Sequence, residues 1–440
     1  MRHSLLDGGQ RPVAGGGLAG CRPFPARRCD QGRPVRRGRR HRSSGPAGSQ
    51  NSLTRGEHPM PEAVILAARR TAIGRAGGQF RTLSAPRLMA PVLRALLDDC
   101  GLQEAEVDRV IVGNARSGGN IARACALEAG LPPEVPAVSV DMQCASGLEA
   151  ILQALWMIQA GAARLILAGG VESTSTAPWM VERPLSATAT PRFMVQTPFC
   201  GDAGADSSVV QAAEAMIRAC GIDRAQQDAY TAASHTRTLA AREAGRFDFE
   251  IVSVLGGDPE GDEAPRAGLG VDRLARLPPL AAEGTVTTGN SAVPADGAAA
   301  VVVMEATLAR ALGAPGAMRL IDGVAGGVDP GLSGLGAVPA ARRLCRRAGD
   351  LGLDSLDQIE INEVYAGQVL SCLNQLGLGT DTVNPGGGTL ALGHPVGAVG
   401  ALLTVRLFHD LMSAPGRRGA VLVSSAAGLG LAALFETGAL

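Results

Sequence analysis

The sequence predicts an α/β protein whose sheets are mainly parallel and covered by helices. Short apolar, β-branched runs alternate with segments of helical spacing, and the second half of the chain repeats the order of the first. Strands that alternate with helices in this way form parallel, helix-covered sheets. At 440 residues, 46% of them hydrophobic, the chain is long enough for two or three domain-sized units.

The first half supplies four strands and three helices, read from apolar runs and from the helical periodicity between them. The strands are expected at 63–68, 107–113, 135–140 and 164–168, and the helices at 88–97, 120–130 and 148–158. From 173 to 284 the chain becomes turn-rich around two helices, 208–219 and 224–244, with no strands between them. An excursion of this kind on a sheet domain is suited to a lid or a substrate platform.

The second half repeats the first. Leu356–Glu363 echoes Val107–Asn114, since each is a short strand introduced by an Asp, and the helix over 397–411 and strand over 420–424 match those that follow Cys144. Two similar α/β halves that face each other create one cleft between their equivalent loops.

Residues 1–60 are expected to lie outside the fold. They hold twelve Arg against three acidic residues, are rich in Gly and Pro, and show no helix or strand period, which is typical of disorder. We interpret them as an upstream extension before a start at Met60, because Gly and Pro interruptions spoil the amphipathic helix of an organelle transit peptide.

Composition argues against several functional classes. The whole chain has a formal charge of +0, but the basic excess lies in the leader, so the rest carries nine more acidic than basic residues and no lysine. Such a body with few aromatic residues offers no nucleic-acid surface. No apolar run is long enough to span a membrane, and no His/Cys/Asp cluster has metal-ligand spacing. Nine scattered cysteines without a C-x-x-C pair predict reduced thiols in a cytoplasmic protein.

Cys144 is the first candidate for chemistry. It follows the apolar run 135–140 and precedes the helix that begins near Leu148, so it is expected at a strand-to-helix turn. Backbone N–H groups and the positive end of the helix dipole meet there, which predicts a lowered thiol pKa and a nucleophile. The alternative is a small buried cysteine that only packs.

His394 is the second candidate. Outside the leader the chain has three histidines, His235, His394 and His409. His235 is interpreted as a surface or packing residue within a helix, and His409 as a cation in a last helical turn. His394 lies in the Gly/Pro turn Leu392–Gly397, where an imidazole of fixed orientation suits a general base or an oxyanion donor.

Several stretches together resemble the thiolase family over about Met60–Leu440. In order they are Gln143-Cys-Ala-Ser-Gly147, Gly169-Gly-Val-Glu-Ser173, Thr285-Val-Thr-Thr-Gly-Asn290 with Asp296-Gly-Ala-Ala299, Asn362-Glu-Val-Tyr-Ala366, and Gly387-Gly-Thr-Leu-Ala-Leu-Gly-His-Pro395. Each stretch alone is a weak signal, whereas their order and spacing are specific.

The resemblance implies a thiolase fold: two pseudo-repeated βαβαβαββ halves in a five-layered αβαβα arrangement with an inserted loop domain. The halves would be residues 61–176 with 296–316 and residues 317–440, and the loop domain, 177–295, would carry much of the coenzyme A contact. It also implies a homodimer or homotetramer that takes a coenzyme A thioester as substrate and holds no bound cofactor.

Roles follow from the same resemblance. Cys144 would accept the acyl group, His394 would accept the thiol proton and help to hold the thioester oxyanion, and Asn362 would orient a water for that oxyanion hole. The backbone N–H groups of Cys144 and Ala426 would line a second hole for the acyl-enzyme.

Three positions depart from the family. Ser424 stands where the family has a second cysteine that exchanges the α-proton of an acyl-CoA, and no nearby cysteine stands in for it. A serine hydroxyl is a poor base for carbon acids. Ala292 replaces a serine that contacts pantetheine, and Ser208-Val209 replaces a His-Met pair, so the acyl and pantetheine pocket is altered.

Three functions remain open at this point. In the first, the protein makes or cleaves a 3-oxoacyl-CoA, with water, Ser424 or His394 covering the missing base. In the second, a Cys-His-Asn set performs a biosynthetic condensation or acyl transfer without abstracting a proton from carbon. In the third, the chain is a weakly active or inactive thiolase-like subunit of a complex.

Overall fold

The computed structural model describes residues 60–184, 186, 188–194, 208–257 and 260–440. Except for Met60, the predicted leader 1–60 lies outside the described residues. The first half contains these strands and helices: β1 (Ala63–Thr71), β2 (Gly74–Arg75), α1 (Ala85–Cys100), β3 (Arg109–Gly113), α2 (Ile121–Glu128), β4 (Ala137–Val140), α3 (Ser146–Gln159) and β5 (Leu165–Ser173).

The middle and second half continue the same alternation after a more irregular segment. The middle contains β6 (Val181–Glu182), β7 (Arg192–Phe193), α4 (Val209–Ala219), α5 (Arg224–Glu243), β8 (Ile251–Val252) and α6 (Val271–Leu274). The rest contains β9 (Ala295–Glu305), α7 (Ala306–Ala311), β10 (Gly316–Gly327), α8 (Ala337–Arg347), β11 (Gln358–Ile361), α9 (Ala366–Leu376), α10 (Thr389–Leu392), α11 (Val399–Leu411), β12 (Arg418–Ser424) and β13 (Leu429–Ala439).

The main sheet follows the order β11-β12-β13-β10-β1-β9-β5-β3-β4. Its two ends are parallel, since β3 pairs with β4 and β5, and β11 with β12. Its centre is antiparallel, since β9 pairs with β1 and β5, and β13 with β10 and β12. The prediction of a mainly parallel sheet is therefore wrong. The tight connection from Ser424 to Leu429, for instance, leaves no room for the crossover that parallel strands need.

Five layers result from the way these elements bury their apolar faces. Helices α1 and α2 cover the outer face of the first-half strands, and α8 and α9 cover that of the second half. Between the two sets of strands lie α3 and α11, which share one core with both. Each fully buried leucine or isoleucine of α3 contributes about 2 kcal/mol of hydrophobic stabilisation.

The middle segment differs from its prediction. Both expected helices are present as α4 and α5, but short strands β6, β7 and β8 accompany them. Two of these strands pair with each other, and β8 extends the main sheet by pairing with β1 through Arg70 and Thr71. Two-residue strands leave no period-2 pattern in a sequence, so apolar periodicity could not reveal them.

Candidate active site

Cys144 lies at the predicted strand-to-helix turn. After β4 the chain forms a 3₁₀ turn over Gln143–Ala145, and α3 begins at Ser146. The Ser146 hydroxyl donates to the Gln143 carbonyl at 2.6 Å and accepts from the Met142 N–H at 2.8 Å. Gln143 adopts a left-handed φ of 51°, a conformation that costs on the order of 1 kcal/mol outside glycine. The serine clamp therefore holds the thiol in a strained, defined turn.

His394 lies directly against this thiol. The distance from His394 Nε2 to Cys144 Sγ is 3.2 Å, and the ring is 6% exposed. Gly393, with φ 101°, makes the bend, and the His394 N–H donates to the Val293 carbonyl at 2.8 Å. The loop backbone is thus anchored, while among the described residues no group bonds to the ring Nδ1.

Close packing of α3 and α11 brings the two residues together. A Cβ placed on Gly147 would lie 2.8 Å from the Ala401 nitrogen, and one on Gly400 would lie 2.5 Å from the Leu148 nitrogen. Because real Cβ atoms do not approach backbone atoms so closely, these two glycines allow the helices to cross at backbone contact. The separation of thiol and imidazole follows from this crossing.

Glu172 connects the turns of the two halves. Its buried carboxylate accepts from Asn114 Nδ2 at 3.1 Å, from the Ala115 N–H at 3.1 Å and from the Gly397 N–H at 3.0 Å. Burial raises the pKa of this carboxyl, and the backbone donors of Gly397 and Ala115 oppose that rise. Glu172 belongs to the motif Gly169–Ser173, where nothing in the sequence indicates its role; in the structure it fixes the backbone just after His394.

The predicted lowering of the thiol pKa is wrong. Burial raises the pKa of Cys144 to about 12, although the backbone N–H groups of Cys144 and Ala426 and the charge of Arg116 act in the opposite direction. Burial also lowers the pKa of His394 to about 4. In this low-dielectric cleft both residues favour their uncharged forms. The resting pair is a thiol beside a neutral imidazole.

A mostly apolar cleft of about 90 Å³ opens onto Cys144. Its walls come from α4, the 3₁₀ turn over Pro330–Leu335, the loop into α9, and the end of β12. The lining residues are Cys144, Val209, Ala213, Met216, Ser333, Gly334, Val364, Tyr365, Gln368, Ser424, Ser425 and Ala426. Ser424 and the Ala426 backbone therefore share the cleft with the predicted nucleophile.

Asn362 is bound to the backbone of Ser424. Its Nδ2 donates to the Ser424 carbonyl at 2.9 Å, and its Oδ1 accepts from the Ser424 N–H at 2.8 Å. Asn362 is fully buried and is not among the cleft-lining residues. One Nδ2 hydrogen remains for the predicted water, so its role in the oxyanion hole stays a prediction.

The other predicted residues lie around this centre. The Ala292 N–H donates to the carbonyl of the cleft-lining residue Val364 at 2.9 Å, and Ala292 itself is not among the lining residues. Ser208 caps α4, and Val209 enters the cleft. His235 is 5% exposed and accepts from the Arg266 N–H at 3.2 Å, so it is a buried packing residue and not a surface one. His409 bonds to the Ala68 carbonyl at 2.8 Å in the last turn of α11.

That no cysteine replaces the missing thiol stays a prediction, but a cysteine distant in the sequence lies close to Ser424. Cys372 Sγ lies 3.9 Å from Ser424 Oγ and is fully buried. It comes from α9, 52 residues earlier in the chain. The only hint in the sequence is that Gln368 and Cys372 share one helical face four residues apart.

A metal site and a membrane-spanning helix are both absent from the residues that the structure describes. No group of three or more His, Cys, Asp or Glu residues there could hold a metal ion. No helix within those ranges is long and apolar enough to cross a bilayer. The expectations about metal, cofactor and nucleic acid stay predictions.

A thiol and a neutral imidazole, brought together from two repeated α/β halves beside an apolar cleft, form an arrangement that suits nucleophilic acyl transfer. The family comparisons agree with this class. The model of the thiolase N-terminal domain matches residues 63–307, and that of the thiolase C-terminal domain matches residues 316–437.

Individual proteins give the same result. The chain is 39% identical over 383 residues to VraB of Staphylococcus haemolyticus, provisionally assigned as an acetyl-CoA C-acetyltransferase, covering 86% of this chain and 99% of that protein. VraB of a Staphylococcus aureus strain is 39% identical over 386 residues, with 86% and 99% coverage. The crystal structure of a Bacillus anthracis acetyl-CoA acetyltransferase superposes with a TM-score of 0.80 at 33% identity, covering 87% of this chain and all of that one. The chain belongs to the thiolase family and is an acyltransferase.

Proposed function

We propose that Cys144 takes an acyl group from an acyl-CoA and that the resulting acyl-enzyme serves to make or cleave a 3-oxoacyl thioester. The observation that carries this proposal is the 3.2 Å contact between Cys144 Sγ and His394 Nε2 beside an open cleft. A buried cysteine that only packs would have no base in contact with it and no cleft in front of it.

The uncharged resting pair supports general-base catalysis. With the pKa of Cys144 at about 12 and that of His394 at about 4, a standing ion pair is unfavourable. The proton instead passes from Sγ to Nε2 as the sulfur attacks the thioester carbonyl. The backbone N–H groups of Cys144 and Ala426, which both act on the sulfur, are the candidate donors to the oxyanion of the acyl-enzyme.

The cleft and the relatives suggest the first substrates to try. Apolar side chains such as Val209 and Met216 favour an acyl chain without charge. The two staphylococcal relatives and the Bacillus protein are named for acetyl-CoA, so acetyl-CoA and acetoacetyl-CoA are the first probes. A homodimer or homotetramer, a cytoplasmic location and a role in lipid metabolism stay predictions.

Ser424 supports a second function. Ser424 lines the cleft where the family resemblance expects a thiol. The pKa of a serine hydroxyl lies far above the value of about 8.5 that is usual for a thiol. An enzyme that transfers the acyl group of Cys144 to a carbanion formed by loss of CO₂ would need no base at this position. A condensation with a malonyl-type thioester is therefore the alternative.

Intact-mass measurement after incubation with acetyl-CoA or acetoacetyl-CoA tests acyl-enzyme formation. We expect an acyl adduct that Cys144→Ala abolishes and that Cys345→Ala, which removes a half-buried thiol outside the cleft, leaves unchanged. Because the chain has no lysine, chemical acylation of side-chain amines cannot imitate the adduct. Absence of an adduct from any acyl-CoA would leave the subunit of a complex as the remaining function.

Ser424→Cys separates the two enzymatic functions. If acetoacetyl-CoA cleavage by the natural protein is already strong, the decarboxylating alternative is wrong. If cleavage rises by orders of magnitude in the variant while reaction with malonyl-CoA does not, the natural protein is not an ordinary thiolase. Both reactions are followed by thioester absorbance and product mass.

A further inference from the structure

Ser424, in the cleft wall, and Cys372 form a hydroxyl–thiol pair. Ser424 lines the cleft, and Cys372 Sγ, fully buried on α9, lies 3.9 Å from Ser424 Oγ. The Cys372 thiol donates to the Gly334 carbonyl at 3.3 Å. A core cysteine of apolar surroundings would have no such set of polar neighbours.

Each atom of the pair has donors that stabilise negative charge. Ser424 Oγ accepts from the Ala337 N–H at 3.0 Å, at the first turn of α8, where the helix dipole is positive. Gln368 Nε2 lies 3.8 Å from Cys372 Sγ and donates toward it. The Ser424 hydroxyl can donate to the same sulfur. A thiolate at Cys372 would thus receive two hydrogen bonds.

We propose that Ser424 and Cys372 act as a proton relay that replaces the single thiol expected at position 424, with Ser424 exchanging the proton of the substrate carbon and Cys372 storing it. This inference rests on the proposed 3-oxoacyl-CoA chemistry and identifies Cys372 as a positioning and proton-storing residue that does not touch substrate.

The protons balance through one cleavage cycle. His394 takes the Cys144 proton as the sulfur bonds to C3 of the 3-oxoacyl-CoA. The C2–C3 bond breaks, its electron pair stays on C2, and C2 takes the Ser424 hydroxyl proton while Ser424 takes the proton of Cys372. The incoming coenzyme A thiol then returns a proton through Ser424 to the Cys372 thiolate as its sulfur attacks the acyl group, and His394 reprotonates the departing Cys144.

Burial is compatible with this direction of transfer. It raises the pKa of Cys372 to about 12, and the hydrogen bond from Ser424 acts to lower it. A thiol of this kind is protonated at rest and ready to protonate a carbanion, which is far more basic. The reverse transfer, from C2 to Ser424 and from Ser424 to a Cys372 thiolate, follows the same path and removes the proton in condensation.

Hydrogen–deuterium exchange at the α-carbon of acetyl-CoA in D₂O tests the relay, because it reports this proton transfer separately from acylation of Cys144. We expect Cys372→Ala and Cys372→Ser each to lower the exchange rate about 10- to 100-fold, while the acylation rate at Cys144 stays within about twofold of the wild type. Cys345→Ala should leave both rates unchanged. Thermal melting of both Cys372 variants checks that the fold is kept.

The double variant distinguishes a relay from a packing role. In a Ser424→Cys background the thiol is already in the cleft, so adding Cys372→Ala should change exchange by less than about threefold. The relay is wrong if Cys372→Ala exchanges at the wild-type rate, if it loses Cys144 acylation as much as exchange, or if its effect is equal in both backgrounds. A wild type that acylates Cys144 but shows no exchange also overturns the relay and leaves acyl transfer standing, whereas a wild type without any acyl adduct overturns the proposed function itself.

Discussion

The turn that carries Cys144 and the turn that follows His394 have the same backbone structure but hold their reactive side chains at different positions. Each is a single 3₁₀ turn, Gln143–Ala145 or Val396–Ala398, that runs directly into a buried helix, α3 or α11. A glycine at the second helical position of each, Gly147 or Gly400, meets the backbone of the opposite helix. The packing is symmetric between the halves.

The reactive residues, in contrast, do not occupy equivalent positions in the two turns. Cys144 lies inside its 3₁₀ turn, whereas His394 lies two residues before the other, held by Gly393 and the Val293 carbonyl. The repeated helix packing thus holds both turns in place. Because Cys144 and His394 stand at different positions relative to these turns, the thiol and the imidazole meet at 3.2 Å. Substitutions can disrupt either the crossing of α3 and α11 or the contact between Cys144 and His394.

Removing the imidazole should have the largest effect. His394→Ala leaves the helix crossing intact but deletes the base, so acylation of Cys144 by acetyl-CoA should slow about 10³-fold. Rapid-quench intact-mass measurement gives the rate. His409→Ala, on the helix that follows the same turn, is the matched control and should stay within about twofold of the wild type. A comparable loss in both variants would mean that the ring acts through packing.

Forcing the helices apart should come next. Gly400→Ala places a Cβ 2.5 Å from the Leu148 nitrogen, which costs about 3 kcal/mol of overpacking and moves Cys144 away from His394. Acylation should fall about 10²-fold, because small misplacements of reacting groups carry costs of that size. Gly438→Ala, at a site with open space, should change neither the rate nor the melting temperature. Wild-type acylation by Gly400→Ala would show that the crossing does not set the contact.

The pH profile of acylation should show a smaller effect. Burial lowers the pKa of His394 to about 4, so the neutral base persists as pH falls and is lost only on approach to that value. The acylation rate should be flat from about pH 8 to pH 5.5 and be halved near pH 4. An ordinary imidazole would halve it near 6.5. A midpoint near that higher value, measured by the same rapid-quench method, would contradict the desolvated pair.

The smallest effect concerns the loop between β12 and β13, which lines the cleft beside Cys144. Ala427, next to Ala426, has a left-handed φ of 61°, which costs about 1 kcal/mol for a residue with a Cβ. Ala427→Gly relieves that strain but adds entropy to the unfolded chain, so we expect a gain of about 0.5 kcal/mol in the free energy of unfolding. Ala433→Gly, in the extended β13, should instead lose stability. Denaturant titration measures both; a destabilised Ala427→Gly would contradict the strain.

Local structure could be predicted well from the sequence, whereas features that depend on contacts between distant segments could not. The turn around Cys144 was recognisable because it lies between an apolar, β-branched run and a segment of helical spacing, and the loop around His394 because a Gly/Pro turn precedes such a segment. Strand direction was not, since an all-apolar strand such as β9 reads the same in either orientation. The pKa of Cys144 was misjudged because the dipole of its own helix is local, whereas its burial comes from the opposite half. Cys372 was missed because only the packing of α9 against the end of β12 brings it to Ser424.

Asn362 has a consequence for how variants of this site should be interpreted. Its carboxamide donates to and accepts from the Ser424 main chain. These two hydrogen bonds extend the backbone pairing of β11 and β12 by one residue. Replacing it would remove a polar group near the thioester and, at the same time, release the strand end that holds the Ser424 hydroxyl. A slow Asn362 variant would therefore report two lost functions, and only its proton-exchange rate, set against its acylation rate, would tell them apart.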